Sequence, residues 1–71
     1  MHNIGWGNWE LEIISRNGAK ITNHKSGRVD YPVRYADGNI AYDFPELIPK
    51  YIKACLFRLW KTFDNEAIQG G

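Results

Sequence analysis

The 71-residue sequence is poor in residues that cross-link a chain or bind metal ions. One cysteine, Cys55, excludes an intrachain disulfide, and the two histidines lack ligand spacing to each other or to that thiol. No run approaches the roughly 18 apolar residues of a membrane span, and no glycine-rich phosphate motif is present. We therefore expect no enzyme, no cofactor, no metal and no membrane partner.

Neither a signal peptide nor a redox-active thiol is indicated. Residues 1–7 lack a cationic segment followed by an apolar run, and Cys55 lies inside an apolar helical pattern, as a small core residue would. A chain with a single thiol is typical of a reducing compartment, so we expect a cytoplasmic protein.

The net charge is also small, because nine Lys and Arg against eight Asp and Glu leave +1. This is too little for the phosphate-neutralising surface of a typical nucleic-acid domain. The charges are nevertheless segregated along the chain. Residues 1–15 carry two acids (−2), 16–34 five bases and one acid (+4), 35–49 three acids (−3), and 50–71 four bases and two acids (+2), which sum to +1.

The length allows one small domain, and the 44% hydrophobic and 24% charged residues are typical of a globular one. A core in a chain of this size rarely supplies more than roughly 3 to 5 kcal/mol. Either the core packs efficiently, or a partner completes it.

Two short apolar alternations around Asn17-Gly18 predict the first hairpin, over residues 9–15 and 19–23. A two-residue turn would put Ile21 on the face that carries the two glutamates. A three-residue loop, residues 16–18, pairs Ile13 with Ile21 and unites the apolar side chains, so we prefer that register.

Residues 28–35 predict a further strand with an apolar face of Val29, Tyr31, Val33 and Tyr35. Its other face would be polar, and Pro32 requires an unpaired side or a bulge there. A two-residue turn at Asp37-Gly38 then leads to the last strand. It pairs Tyr35 with Ile40 and Val33 with Tyr42.

A long helix follows. Asp43 and Glu46, with Pro45 between them, have the spacing of a capping box, although Pro49 allows a separate turn first and a main helix that begins at Pro49. At 100° per residue one apolar stripe contains Ile48, Ile52, Cys55, Leu56, Leu59 and Phe63.

The element order predicts an α+β fold, with a four-stranded antiparallel meander sheet followed by one C-terminal helix packed across one face. We expect a flexible N-terminal arm over residues 1–8, a single domain over 9–63 and a frayed tail over 64–71. The predicted core combines the helix stripe with Trp9, Leu11, Ile13, Ile21, Val29, Tyr31, Val33, Tyr35, Ile40 and Tyr42.

The function these patterns favour is a non-enzymatic protein-binding module. We expect a homodimer or an inhibitor-like accessory protein of the phage or mobile-element type, acting through a free strand edge or through the outer helix face. That face would present Lys53, Phe57, Trp60 and Lys61. The alternative is nucleic-acid binding, with exposed aromatics and the basic hairpin residues Arg16, Lys20, Lys25, Arg28 and Arg34.

Overall fold

A computed structural model describes the backbone of residues 3–70 and the side chains of residues 3–66. Its elements are β1 (Asn3–Trp6), β2 (Trp9–Ile13), β3 (Ala19–Asn23), β4 (Val29–Asp30), β5 (Val33–Arg34), β6 (Ile40–Ala41), a 3₁₀ helix (Pro45–Leu47) and α1 (Lys50–Gly70).

The predicted α+β architecture is confirmed. Strands β1 to β4 form one antiparallel sheet in chain order, β5 and β6 form a small second sheet, and α1 crosses one face of the larger one. The core lies between that face and the helix. Its buried side chains are Leu11, Ile13, Ala19, Ile21, Ile48, Ile52, Leu56 and Trp60.

The first strand of the sheet lies where the sequence predicted a flexible arm. Residues 3–6 pair with β2, and Trp6 is directly opposite Trp9 across a two-residue turn. Gly7, at the first turn position, has φ of +60°, which is the glycine requirement of a type II′ hairpin. The turn chemistry of Gly7-Asn8 therefore creates an extra strand, and residues 1 and 2 lie outside the described part of the chain.

The hairpin of β2 and β3 has a longer loop than predicted. Leu11 pairs with Ile21, and Ile13 with Ala19, so residues 14–18 form the connection. The Ser15 hydroxyl oxygen stabilises this loop by accepting the backbone N–H groups of residues 17 and 18. The register differs from the preferred one by two residues, which keeps the apolar side chains on one face as predicted.

The prediction for residues 29–35 is wrong in its choice of face. Asp30 and Pro32 are buried and Arg34 is mostly covered, whereas Tyr31, Val33 and Tyr35 point to solvent. The second hairpin is shifted by one residue, because Arg34 rather than Tyr35 pairs with Ile40. A shift of one residue moves every side chain to the opposite face.

Asp30 holds one end of this inverted segment. Its two carboxylate oxygens accept the backbone N–H groups of Asp43 (3.1 Å) and Phe44 (2.9 Å), which compensates for its burial. The predicted capping box does not form, since Asp43 accepts from the Tyr31 N–H and the 3₁₀ helix has no side-chain cap. This helix is the separate turn that the sequence left open before Pro49.

Arg34 holds the other end. Its guanidinium donates two parallel hydrogen bonds of 2.8 Å to Asp64, and its Nε donates to the Arg16 carbonyl at 3.1 Å. The same group lies 5.1 Å from the ring centroid of Trp60, within the range of a cation–π contact. One side chain therefore connects the second hairpin, the loop after β2 and the helix.

The buried stripe of α1 runs through Ile52, Leu56 and Trp60. The prediction centred it nearer to Cys55 and Leu59, which are only partly buried and lie along its margin. The residues predicted as a frayed tail continue the helix as far as Gly70, and Gly71 lies outside the described residues.

Replacing Arg34 by Met should lower the free energy of unfolding by about 1 to 3 kcal/mol, because the variant loses its charge-assisted hydrogen bonds to Asp64. Urea denaturation of wild type and variant measures the change. Arg58→Met is the matched control, since Arg58 is exposed on the same helix and its loss should cost less than about 0.5 kcal/mol. Equal effects of the two changes would contradict this role of Arg34.

The same contact predicts a pH dependence. Hydrogen bonds from Arg34 hold the pKa of Asp64 below its ordinary value of 3.8. The unfolded chain therefore binds the proton first as pH falls, and the contribution of this pair is complete above about pH 5 and lost as pH falls through the lowered pKa. The stability difference between wild type and Asp64→Asn should be constant from pH 8 to 5 and shrink toward pH 2. A difference that persists unchanged at pH 2 would refute the linkage.

Candidate protein-binding surface

The sheet face opposite α1 has no covering layer among the described residues. By register it carries the even-numbered side chains of β2 and β3 and the odd-numbered side chains of residues 29–35. Its two halves differ in character. The β2 half is acidic and the second half is apolar.

We call the apolar half the sheet patch. It consists of four side chains that are between 44% and 58% exposed, and they are Ile14, Tyr31, Val33 and Tyr35. The backbone joins them, since Gly18 accepts from the Ile14 N–H and pairs on its other side with Val33. Four such side chains, each about half exposed, present on the order of 400 Å² of surface, which is comparable to the largest patch on a typical monomer, and such patches are often functional.

Glu10 and Glu12 form the acidic half. Glu12 lies opposite Lys20, while Glu10 accepts from Asn3 at 3.2 Å and lies 2.9 Å from the His24 Nε2. The hydrogen bonds from Asn3 and then from His24 lower the pKa of Glu10. Glu10 is therefore ionised at neutral pH, and Lys20 is the cation on the neighbouring strand.

The four residues predicted as a surface on the outer helix face do not lie together. Trp60 is fully buried, and its indole N–H donates to the Ser15 carbonyl at 3.1 Å, so this part of the prediction is wrong. Phe57 is exposed as expected, with the Lys61 ammonium 5.2 Å from its ring centroid.

Lys53, the fourth residue of that set, is only partly exposed and lies along the flank of the helix. Its ammonium is 5.2 Å from the ring centroid of Tyr42. Burial, followed by the charge of Asp30, raises the pKa of Tyr42 to about 12, so the phenol is neutral. The outward surface of α1 that remains, which we call the helix patch, consists of Phe57 with the exposed cations Lys50, Arg58 and Lys61.

The five predicted nucleic-acid contacts are also dispersed. Arg16 and Arg34 lie at the end of the sheet where β2 joins β3, and Lys25 and Arg28 lie at the opposite end. Lys20 is on the open face beside the glutamates, and Arg34 is bound to Asp64. The structure therefore provides no continuous basic surface from these residues.

Strands β1 and β4 are the two edges of the larger sheet. Among the described strands β1 pairs only with β2, and its exposed side chains include Ile4 and Trp6. None of its four residues is charged or proline, the usual protections of an edge strand.

An apolar groove of about 190 Å³ lies between the 3₁₀ helix and the end of β3. It is smaller than the roughly 300 to 1,000 Å³ of cofactor and substrate pockets. The carboxylate at its wall, Asp30, already accepts two backbone N–H groups. The groove has room for a single large side chain. Its lining is Trp9, Ile21, Asn23, Ser26, Arg28, Val29, Asp30, Phe44, Leu47 and Ile48.

Within residues 3–70 no helix has the length and apolar character that crossing a membrane requires. The described residues also contain no group of three acidic, histidine or cysteine side chains positioned to bind a metal ion. Comparison with known protein families, curated proteins and solved structures gives no significant match to this chain.

Trp60 and Phe57, the two aromatic residues that were predicted on the outer helix face, should differ sharply in their effect on stability. Trp60→Ala removes a buried side chain and should cost about 3 to 5 kcal/mol, close to the whole stability of a domain of this size. Phe57→Ala removes an exposed side chain and should change the free energy of unfolding by less than about 0.5 kcal/mol. Thermal unfolding followed by circular dichroism compares them, and a larger loss for Phe57→Ala would reverse the assignment of faces.

Proposed function

We propose that this chain is a non-enzymatic protein-binding module and that the sheet patch is its binding surface. The observation that carries the proposal is the inversion of residues 29–35. A strand with alternating apolar side chains is normally buried on that face, yet here Tyr31, Val33 and Tyr35 are turned outward.

This outward arrangement is stabilised by specific contacts on both sides of the patch. Asp30 binds two backbone N–H groups and Arg34 binds Asp64, so the alternate side chains of the segment are fixed toward the core. Turning the strand over would bury Val33 and would expose the Trp60 ring, which now lies beneath Arg34. The patch is therefore a persistent surface of the folded chain.

The composition of the patch supports protein recognition. Tyrosine combines a large apolar ring with a polar hydroxyl group, and it is enriched at protein interfaces. The acidic half beside it, Glu10 and Glu12, favours a partner that presents an apolar centre next to cations.

Photo-crosslinking tests this function directly. Benzoylphenylalanine replaces Tyr35 in the chain, which is produced in its native host and irradiated, and adducts are detected by gel and mass spectrometry. We expect protein adducts at position 35 and their loss when Val33→Arg is added, because a cation at the centre of an apolar interface resists burial.

The control carries the same photoreactive residue at Phe44, which is 45% exposed but lies outside the sheet patch. It should give few adducts. Absence of adducts at position 35, or equal yields at both positions, would overturn the proposal.

A further inference from the structure

We propose that the occupant of the sheet patch is the helix patch of a second copy of this chain, so that copies associate head to tail. This inference rests on the proposed function above. It is carried by the opposite chemistry of the two exposed faces of the molecule.

The helix patch has an apolar centre surrounded by positive charge. Residues 50–63 contain Lys50, Lys53, Arg58 and Lys61 and no acid, and Phe57 lies among them. Cations in the first turn oppose the helix macrodipole, which favours acidic side chains there. Two lysines in or next to that turn, with no compensating acid, are therefore placed against the preference of the helix itself. A negatively charged surface docked on this face would offset that unfavourable interaction.

The sheet face provides such a surface. Glu10 and Glu12 lie beside the sheet patch, with Lys20 opposite Glu12 and His24 hydrogen-bonded to Glu10, and Asp37 adds a third carboxylate in the turn two residues after Tyr35. An apolar centre flanked by carboxylates thus faces one side of the molecule, and an apolar centre flanked by cations faces the other.

Charge also decides between the possible arrangements of two copies. A symmetric pair of helix patches would place three exposed cations against three, and a symmetric pair of sheet faces would bring together surfaces that each carry two glutamates. Like charges opposed across an interface are costly. Docking the helix patch of one copy on the sheet patch of another places opposite charges against each other.

The two patches lie on opposite sides of a two-layer molecule, so this interface is heterologous and generates rings or open chains. The sheet patch presents on the order of 400 Å² of surface, which is about half of the area that each partner buries in a standard stable interface. We therefore expect association at protein concentrations in the micromolar range or above. Added salt should weaken it.

Two variants that each damage one face test the arrangement. Val33→Arg places a cation in the sheet patch, and Phe57→Glu places an acid in the helix patch. Light scattering after size exclusion, at about 100 µM and low salt, should give wild-type masses above that of a dimer and the 8.2 kDa monomer for each variant alone. An equimolar mixture should give a dimer of twice 8.2 kDa, because one intact patch of each kind remains.

The matched control is Leu47→Arg, since Leu47 and Val33 are both 44% exposed and Leu47 lies outside both patches. It should associate as wild type does. Circular dichroism melts confirm that each variant is folded, and Tyr35→Ser replaces Val33→Arg if that chain is not.

A wild-type chain that stays monomeric, or a wild-type dimer whose two variants do not combine on mixing, would overturn the head-to-tail arrangement. The crosslinking experiment separates this failure from failure of the proposed function. Adducts at position 35 with a mass other than a multiple of the chain would retain a binding surface for a different protein and contradict self-association. Absence of all adducts would contradict both the proposed function and the head-to-tail association.

Discussion

The paired hydrogen bonds from Arg34 to Asp64, formed over the ring of Trp60, are the contact on which the rest of the structure depends. They join the second hairpin to the last turns of α1. Because the Arg34 guanidinium occupies the inner face of β5, it covers the Trp60 ring, and Val33 is directed outward. The position of Trp60 in the core and the exposure of the sheet patch are thus coupled to this contact at one end of the segment, and Asp30 fixes the other end.

A small domain is organised around this contact with two chemically distinct sides. The core is a single layer of aliphatic residues and one tryptophan between sheet and helix, and it leaves apolar side chains on both outer surfaces. Those on the sheet lie beside carboxylates, and Phe57 on the helix lies among cations. The acids of residues 1–15 therefore lie on the open sheet face and the bases of residues 50–63 on the helix, while the bases of residues 16–34 are dispersed.

Local patterns predicted the element types and the shared apolar face of Ile13 and Ile21, and they left the separate turn before Pro49 open as an alternative. They failed where a partner distant in the sequence decides the outcome. Hydropathy cannot indicate that Asp30 will bind the N–H groups of residues 43 and 44, or that Arg34 will meet Asp64 across 30 positions. The candidate site was missed for that reason, since its aromatic side chains were assigned to the core. The missed first strand is different, because Gly7-Asn8 has the local sequence of a two-residue hairpin turn.

The most direct test of this account is the set of nuclear Overhauser contacts of the Trp60 ring, measured on the isotopically labelled chain in solution. The account predicts contacts from the indole protons to the side-chain methylene protons of Arg34 and none to the methyl groups of Val33. Contacts from Trp60 to the Val33 methyl groups, with Arg34 free in solvent, would show that the strand has the opposite face inward and would contradict the central claim.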